Sequence, residues 1–179
     1  MKYILLASST AGHICPCLET ADFLKKHRRQ FVIISEKKKI PLMLLKDKEN
    51  VVFIDELKKY KSYISFLKIL KQYDKECVFL SFGGRLSTVF PMLYILGYRN
   101  LYIYELNRIM GKSNKIAKPF CKKVFSYFPL STAKNVKVIG HPQEDRKRLN
   151  YIKERGNKIL VLTGSNGCLL YTSDAADEA

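Results

Sequence analysis

Three short stretches carry residue types from which a polar binding site can be built. The first is Ser8-Ser9-Thr10-Ala11-Gly12-His13, between an apolar strand-like run and a helical pattern that contains Pro16. Free amides at a helix N-terminus, beside the hydroxyls of Ser8, Ser9 and Thr10, suit an anion such as a diphosphate. Proline is tolerated in a first helical turn because its missing amide would have no partner there, so Pro16 is expected in that turn. The stretch is not G-x-G-x-x-G, so a dinucleotide site gains little from it, and a small-residue turn that only packs is the plain alternative. His13 falls at the positive end of the helix, which disfavours imidazolium and leaves a ring able to accept a proton. Three roles are open to it: base toward an attacking sugar hydroxyl, hydrogen-bonding ligand, or structural cap of the loop.

The second stretch is Phe82-Gly83-Gly84-Arg85-Leu86-Ser87. Paired glycines let backbone approach a ligand, and Arg85 can hold a phosphate or carboxylate; the alternative is a tight turn with an exposed arginine. The third is Tyr104-Glu105-Leu106-Asn107, whose carboxylate and amide can hydrogen-bond sugar hydroxyls. His27 stands among Lys25, Lys26 and Arg28 and reads as a solvated helix end. Cys15, Cys17, Cys77, Cys121 and Cys168 have neither zinc-ligand spacing nor the pattern of a secreted disulfide framework, so they read as reduced structural thiols with no metal.

Each stretch must be placed by a strand before it and a helix after it. Strands are expected at Tyr3–Ala7, Phe31–Ser35, Val51–Ile54, Cys77–Phe82, Leu101–Tyr104, Lys123–Ser126 and Val136–Ile139. Helices are expected at Pro16–His27, Tyr63–Tyr73, Thr88–Leu96 and Asn114–Phe120. Such alternation predicts an α/β fold, a Rossmann-like parallel sheet with helices on both faces, and puts all three stretches at the carboxyl edge where open sheets hold ligands.

With 47% apolar residues the chain has a folding composition, and 179 residues suit one full domain. No apolar run is long enough to cross a bilayer, and the strand pattern that begins at Tyr3 leaves no space for a signal peptide. The formal charge is +16, from 32 Lys and Arg against 16 acids. That excess is suited to nucleic acid, an acidic membrane surface or phosphorylated substrates, although lysine is scattered along the whole chain.

After Gly140-His141-Pro142 a charged helical stretch is expected from Glu144 to Arg155. Lys158–Thr163 then reads as a new buried strand opening on Gly164-Ser165-Asn166-Gly167, the first element of a second Rossmann unit. The last residues, Cys168–Ala179, contain three acids and no lysine or arginine; they resemble a translated sequencing adapter and read as an assembly scar, against the plain alternative of an acidic C-terminal tail.

In this order the three stretches resemble the MurG family of peptidoglycan glycosyltransferases, which add N-acetylglucosamine to undecaprenyl-diphosphate-linked N-acetylmuramoyl-pentapeptide. The likeness runs from Met1 to Gly167 and continues through Gly111, Asn114-Lys115, Ala117, Phe128-Pro129, Gly140-Pro142 and Gly164-Ser165-x-Gly167. It implies two Rossmann-like domains facing across a cleft, the GT-B arrangement, and an inverting transfer without metal or other cofactor. Residues 1–155 would form the acceptor and membrane-side domain, 158–167 the beginning of the donor domain, and 168–179 a non-native tail. By the resemblance Thr10, Ala11, Gly12 and His13 fall on the family's glycine-rich loop, Asn107 on its substrate-contacting amide, and Ser165 on the serine of the second domain's first glycine turn. His13 and Glu105 are the candidate catalytic groups, with Gly83, Gly84 and Arg85 as further substrate-binding candidates.

The implied partners are UDP-N-acetylglucosamine, held mainly by the second domain, the undecaprenyl-diphosphate-linked acceptor, and an anionic membrane surface. The implied location is peripheral, on the cytoplasmic face of the cell membrane, and the 179 residues alone are not expected to transfer sugar. Six positions depart from the family pattern. The first loop has Ser8, Ser9 and Ala11 where glycines are usual, Arg85 replaces a hydrophobic or aromatic residue, and Tyr104 replaces a histidine. Glu144 stands where a donor-contacting arginine is usual, with Arg146 nearby. A membrane patch is expected from Tyr63, Ile64, Phe66, Leu67, Ile69 and Leu70 beside Lys58, Lys59, Lys61, Lys68 and Lys71, against the plain alternative of an amphipathic core helix. Two other functions fit the charge: a basic nucleic-acid-binding domain, for which no reading motif is found, and a non-catalytic membrane-recruiting partner of a separate donor-binding subunit.

Overall fold

Seven apolar segments pair side by side in the computed structural model, which describes residues 1–130 and 135–139. They are β1 (Lys2–Ala7), β2 (Gln30–Glu36), β3 (Val51–Ile54), β4 (Val78–Ser81), β5 (Leu101–Glu105), β6 (Lys123–Ser126) and β7 (Val136–Val138). The sheet order is β3-β2-β1-β4-β5-β6-β7, and every neighbouring pair is parallel. The chain winds outward from β1 to β3, then crosses back to place β4 on the other side of β1. The connections after β1 and β4 therefore leave the sheet in opposite senses, which opens a crevice at their carboxyl ends.

β1 is buried on both faces, as a central parallel strand must be. Ile4 and Leu6 join Ile34, Phe66, Leu70, Phe79, Phe90 and Leu93 on one side. Leu5 and Ala7 join Ile14, Cys17, Leu24, Ile33, Leu45 and Phe82 on the other. Helices α1 (Ala11–Lys26) and α2 (Lys39–Leu45) supply the second cluster, while α3 (Tyr60–Leu70), α4 (Phe90–Ile95) and α5 (Lys112–Ala117) supply the first. Each fully buried large side chain contributes on the order of 1.5–3 kcal/mol of burial free energy.

The strands fall within a residue or two of their expected positions; the helices differ more. α1 begins at Ala11, so Pro16 lies inside the helix and not in its first turn. Thr10 is extended, and its carbonyl accepts from the amides of His13 and Ile14 at 3.0 and 3.1 Å, so helical bonding is under way before Pro16 is reached. Pro16 then has no amide for the carbonyl four residues back, that of Gly12. α2 was not anticipated. α3 starts and stops three residues earlier than expected. The expected helix over Thr88–Leu96 divides into a 3-10 turn, Arg85–Val89, and α4, with Pro91 near the start of α4. Pro119 likewise ends α5 in a 3-10 turn, Lys118–Phe120.

The chain divides into two units, Met1–Glu144 and Asp145–Ala179, and all the described residues lie in the first. The expectations for Gly140-His141-Pro142, Glu144–Arg155, Lys158–Thr163, Ser165 and the tail, and the domain boundary at 155, fall outside the described residues.

Candidate functional site

The end of β1 and the start of α1 form the first loop. Ser8 is 2% exposed, and its Oγ accepts from the amide of Leu86 at 3.3 Å. Thr10 makes no side-chain cap; its hydroxyl instead meets Nδ1 of His13 at 3.0 Å. That contact turns the imidazole and couples its tautomer to the hydroxyl: if Thr10 donates, Nε2 carries the ring proton, and if Nδ1–H donates, Nε2 is free to accept. The His13 pKa is held below the ordinary histidine value by burial, while the carboxylates of Glu105 and Glu36 pull it back up. The direction is the expected one, but burial drives it. Ala11 and Gly12 occupy the first positions of α1, where amides have no carbonyl within the helix, and a side chain at Gly12 would meet nothing within 4 Å.

The second loop packs on the first. Gly83 and Gly84 have φ of +102° and +74°, a region that L side chains rarely adopt. A Cβ on Gly83 would lie 3.0 Å from Nε2 of His13, and one on Gly84 would lie 2.3 Å from Cβ of Ser8 and 3.3 Å from Cε1 of His13. The imidazole thus lies against the glycine pair. Arg85 is exposed and opens the 3-10 turn.

The third loop is organised by Glu105, which is 2% exposed at the end of β5. Its Oε1 accepts from the backbone amide of Asn107 at 3.0 Å and from its Nδ2 at 2.9 Å. Its Oε2 accepts from the amide of Gly111 at 3.1 Å and from Nδ2 of Asn114 at 2.8 Å. Four donors thus occupy both oxygens of Glu105 and hold its carboxylate in place at the end of β5. Asn107 is exposed, and it is its NH2 and not its amide oxygen that meets the carboxylate.

A buried polar chain ties these loops together. Ser87 donates to Oδ1 of Asn114 at 2.7 Å, the Oγ atoms of Ser81 and Ser87 are 2.7 Å apart, and the amide of Gly83 donates to Ser81 at 3.3 Å. Because a carboxylate only accepts, Asn114 must turn its NH2 to Glu105 and its oxygen to Ser87. The serine hydroxyl has one proton, so Ser81 must donate to Ser87. Every bond from Gly83 to Ser81, Ser87 and Asn114 then has a fixed direction, and Asn114 carries the network on to Glu105.

The structure therefore joins Ser8, Thr10, His13, Gly83, Gly84, Glu105 and Asn107 along one edge of the sheet, with Asn107 tied in through Glu105 and Asn114. Sequence reasoning missed Ser81, an isolated serine with no spacing signal, and gave Ser87 and Asn114 no role of their own. It also missed the end of β2, where Glu36 is 1% exposed, accepts from the amide of Leu57 through Oε1 at 3.3 Å and leaves Oε2 without a protein partner. That strand end lies beside β1 on the same edge, which is the signal that could have found it. Among the described residues no group of three or more His, Cys, Asp or Glu could hold a metal ion.

No protein-family model matches the chain. It is similar to the UDP-N-acetylglucosamine–N-acetylmuramyl-(pentapeptide) pyrophosphoryl-undecaprenol N-acetylglucosamine transferase of Fusobacterium nucleatum, at 25% identity over 92% of this chain and 53% of the relative. The transferase of the same name from Sulfurihydrogenibium is 29% identical over 93% of this chain and 54% of its own length. A crystal structure of Acinetobacter baumannii MurG shares the fold, with a TM-score of 0.63 and 23% identity over 79% of this chain and 45% of that one. The chain spans about half the length of the curated relatives it matches. The chain is thus similar along nearly its whole length to relatives of one name, and its α/β Rossmann-like sheet shares the fold of a solved MurG.

Proposed function

We propose that the chain is the acceptor-side half of a transferase that moves N-acetylglucosamine from UDP-N-acetylglucosamine to an undecaprenyl-diphosphate-linked muramoyl-pentapeptide. One observation carries the reading: His13 packs on Gly83 and Gly84 while Asn114 ties that loop to Glu105 and Asn107. The amides at the start of α1 and the glycine pair suit the diphosphate, and the amide oxygen of Asn107 suits a sugar hydroxyl. In the transfer the acceptor hydroxyl bonds to the anomeric carbon, the diphosphate oxygen leaves with the old bonding pair, and the hydroxyl proton passes to a base. A neutral His13 fits that last role, and Glu105 fits that of the residue that orients Asn107.

The nucleotide sugar would be held mainly by residues beyond those described here, so these 179 residues are expected to bind acceptor without turning it over. The test is calorimetric titration of the chain with a short-chain polyprenyl-diphosphate muramoyl-pentapeptide. His13→Ala and Asn107→Ala should each weaken binding about tenfold, the equivalent of one good hydrogen bond to a charged or buried group. Unchanged affinity in both variants would overturn the site.

We propose further that this half rests on the cytoplasmic face of an anionic membrane through the groove between α3 and α4. The groove encloses about 320 Å³ and is lined by Ile64, Leu67, Met92 and Ile95, with Lys68 and Lys71 at its margin. Ile95 is 80% exposed, and two lysines beside an apolar surface suit acidic headgroups. Phe66 and Leu70 are buried in the core and drop out of the patch expected from sequence. No helix among the described residues is long and apolar enough to cross a membrane. Sedimentation with phosphatidylglycerol vesicles, reduced in Ile95→Asp and absent with phosphatidylcholine, is the expected result.

A further inference from the structure

We infer that Lys38 is a further acceptor-binding residue, the cation that meets the diphosphate beside the first loop. The inference rests on the acceptor reading above and adds to it a residue that neither motif nor spacing marks.

Lys38 follows β2 by two residues, on the edge where Ala7 of β1 pairs with Ser35. Its Nζ reaches to 3.4 Å from Oγ of Ser9, with the side chain 26% exposed. That is long for a hydrogen bond from an ammonium group, so Ser9 holds the cation loosely. Its acidic neighbour Glu56 stands at 3.7 Å, but the same oxygen of Glu56 is 2.6 Å from Nζ of Lys58. The charge of Arg85 also falls on Glu56, whose pKa is lowered first by the Lys58 hydrogen bond and then by the three cations. One carboxylate is thus shared among Lys38, Lys58 and Arg85, and the rim beside Ser9 keeps an excess of positive charge.

The loop itself supplies no charge. Ser8 is committed to Leu86 and Thr10 to His13, which leaves Ser9 and the amides of Ala11 and Gly12 to face a multiply charged anion. Neutral donors alone compensate such a ligand poorly, and a loosely held ammonium within reach completes the site. Glu36, buried two residues before Lys38, acts in the opposite sense and would repel the anion from beneath. Lys38 therefore has two tasks, to screen that carboxylate and to hold the ligand.

The test is titration of the chain with farnesyl diphosphate, with inorganic pyrophosphate and farnesol as comparison ligands. Lys38→Met should weaken farnesyl diphosphate about tenfold, Lys38→Arg should stay within about threefold, and Lys25→Met, in the last turn of α1, should match the wild type. Pyrophosphate should compete and farnesol should not, which assigns the effect to the diphosphate and not to the tail. If Lys38→Met binds like the wild type while His13→Ala loses affinity, Lys38 is no ligand and the acceptor reading stands. If the wild type binds no diphosphate at all, both fall. Matching thermal melts of wild type and Lys38→Met exclude unfolding as the cause.

Discussion

The Cα of Gly84 faces the side chain of Ser8 so closely that a methyl group built on it would lie 2.3 Å from Cβ and 2.4 Å from Oγ of the serine. The backbone there, at φ +74° and ψ −168°, is also one that only glycine adopts readily. Gly84→Ala is expected to cost on the order of 1–3 kcal/mol from the backbone alone, with the clash added to it. Urea denaturation should show the loss, and acceptor binding should fall with it because the first loop must move. A variant as stable as the wild type would mean that the two loops are not packed as described.

Ser87→Ala removes the donor to Oδ1 of Asn114 inside a fully buried chain. Leaving that oxygen unpaired should cost roughly 1–3 kcal/mol of stability. The readout specific to the network is acceptor affinity: Asn114 steadies Glu105, and Glu105 fixes Asn107. Ser87→Thr, which keeps the hydroxyl, should recover part of the affinity if its added methyl is accommodated.

His13 should titrate below 6.5, the ordinary histidine value, in NMR spectra of the folded chain. Burial lowers it and Glu36 raises it, so Glu36→Gln should move the midpoint lower still. The unfolded chain binds this proton more readily than the folded one. The stability associated with neutral His13 is therefore whole above pH 6.5 and is lost as the pH falls from there toward the folded midpoint. His13→Gln should flatten that part of the stability profile.

Phe66 and Ile95 separate core from surface on neighbouring helices. Phe66 is 1% exposed, and Phe66→Ala should cost about 3–5 kcal/mol. Ile95→Asp, at a position 80% exposed, should change stability by about 0.5 kcal/mol or less while vesicle binding falls. Equal destabilisation by the two would place Ile95 in the core and end its part in membrane contact.

The sheet was legible because each strand is a short apolar run bounded by turn residues, and the period changes between 2 and 3.6 mark what lies between. α1 was misplaced by reading Pro16 as a start signal, when the extended Thr10 had already started the helix. α2 was hidden because Ile40–Leu45 is too short to display a helical period and is flanked by lysines on both sides. In the site, the glycine turns were legible because glycine marks backbone that other residues avoid. Glu105 was legible as a polar residue on the right edge, but its work depends on Gly111 and Asn114 folding back over it, and no local pattern encodes that return. Lys38 is one of three consecutive lysines, and only the side-by-side pairing of β1 and β2 distinguishes it from the others.

The hydrogen bond from Leu86 to Ser8 joins residues 78 positions apart and becomes possible only once β4 has docked on β1. Closing so long a loop has a large entropic cost that local helix formation cannot offset, so this contact should form late in folding. Amide exchange at Leu86 should accordingly report disengagement of β4 from β1, and anything that loosens that pairing would dismantle the crevice while leaving α1 wound.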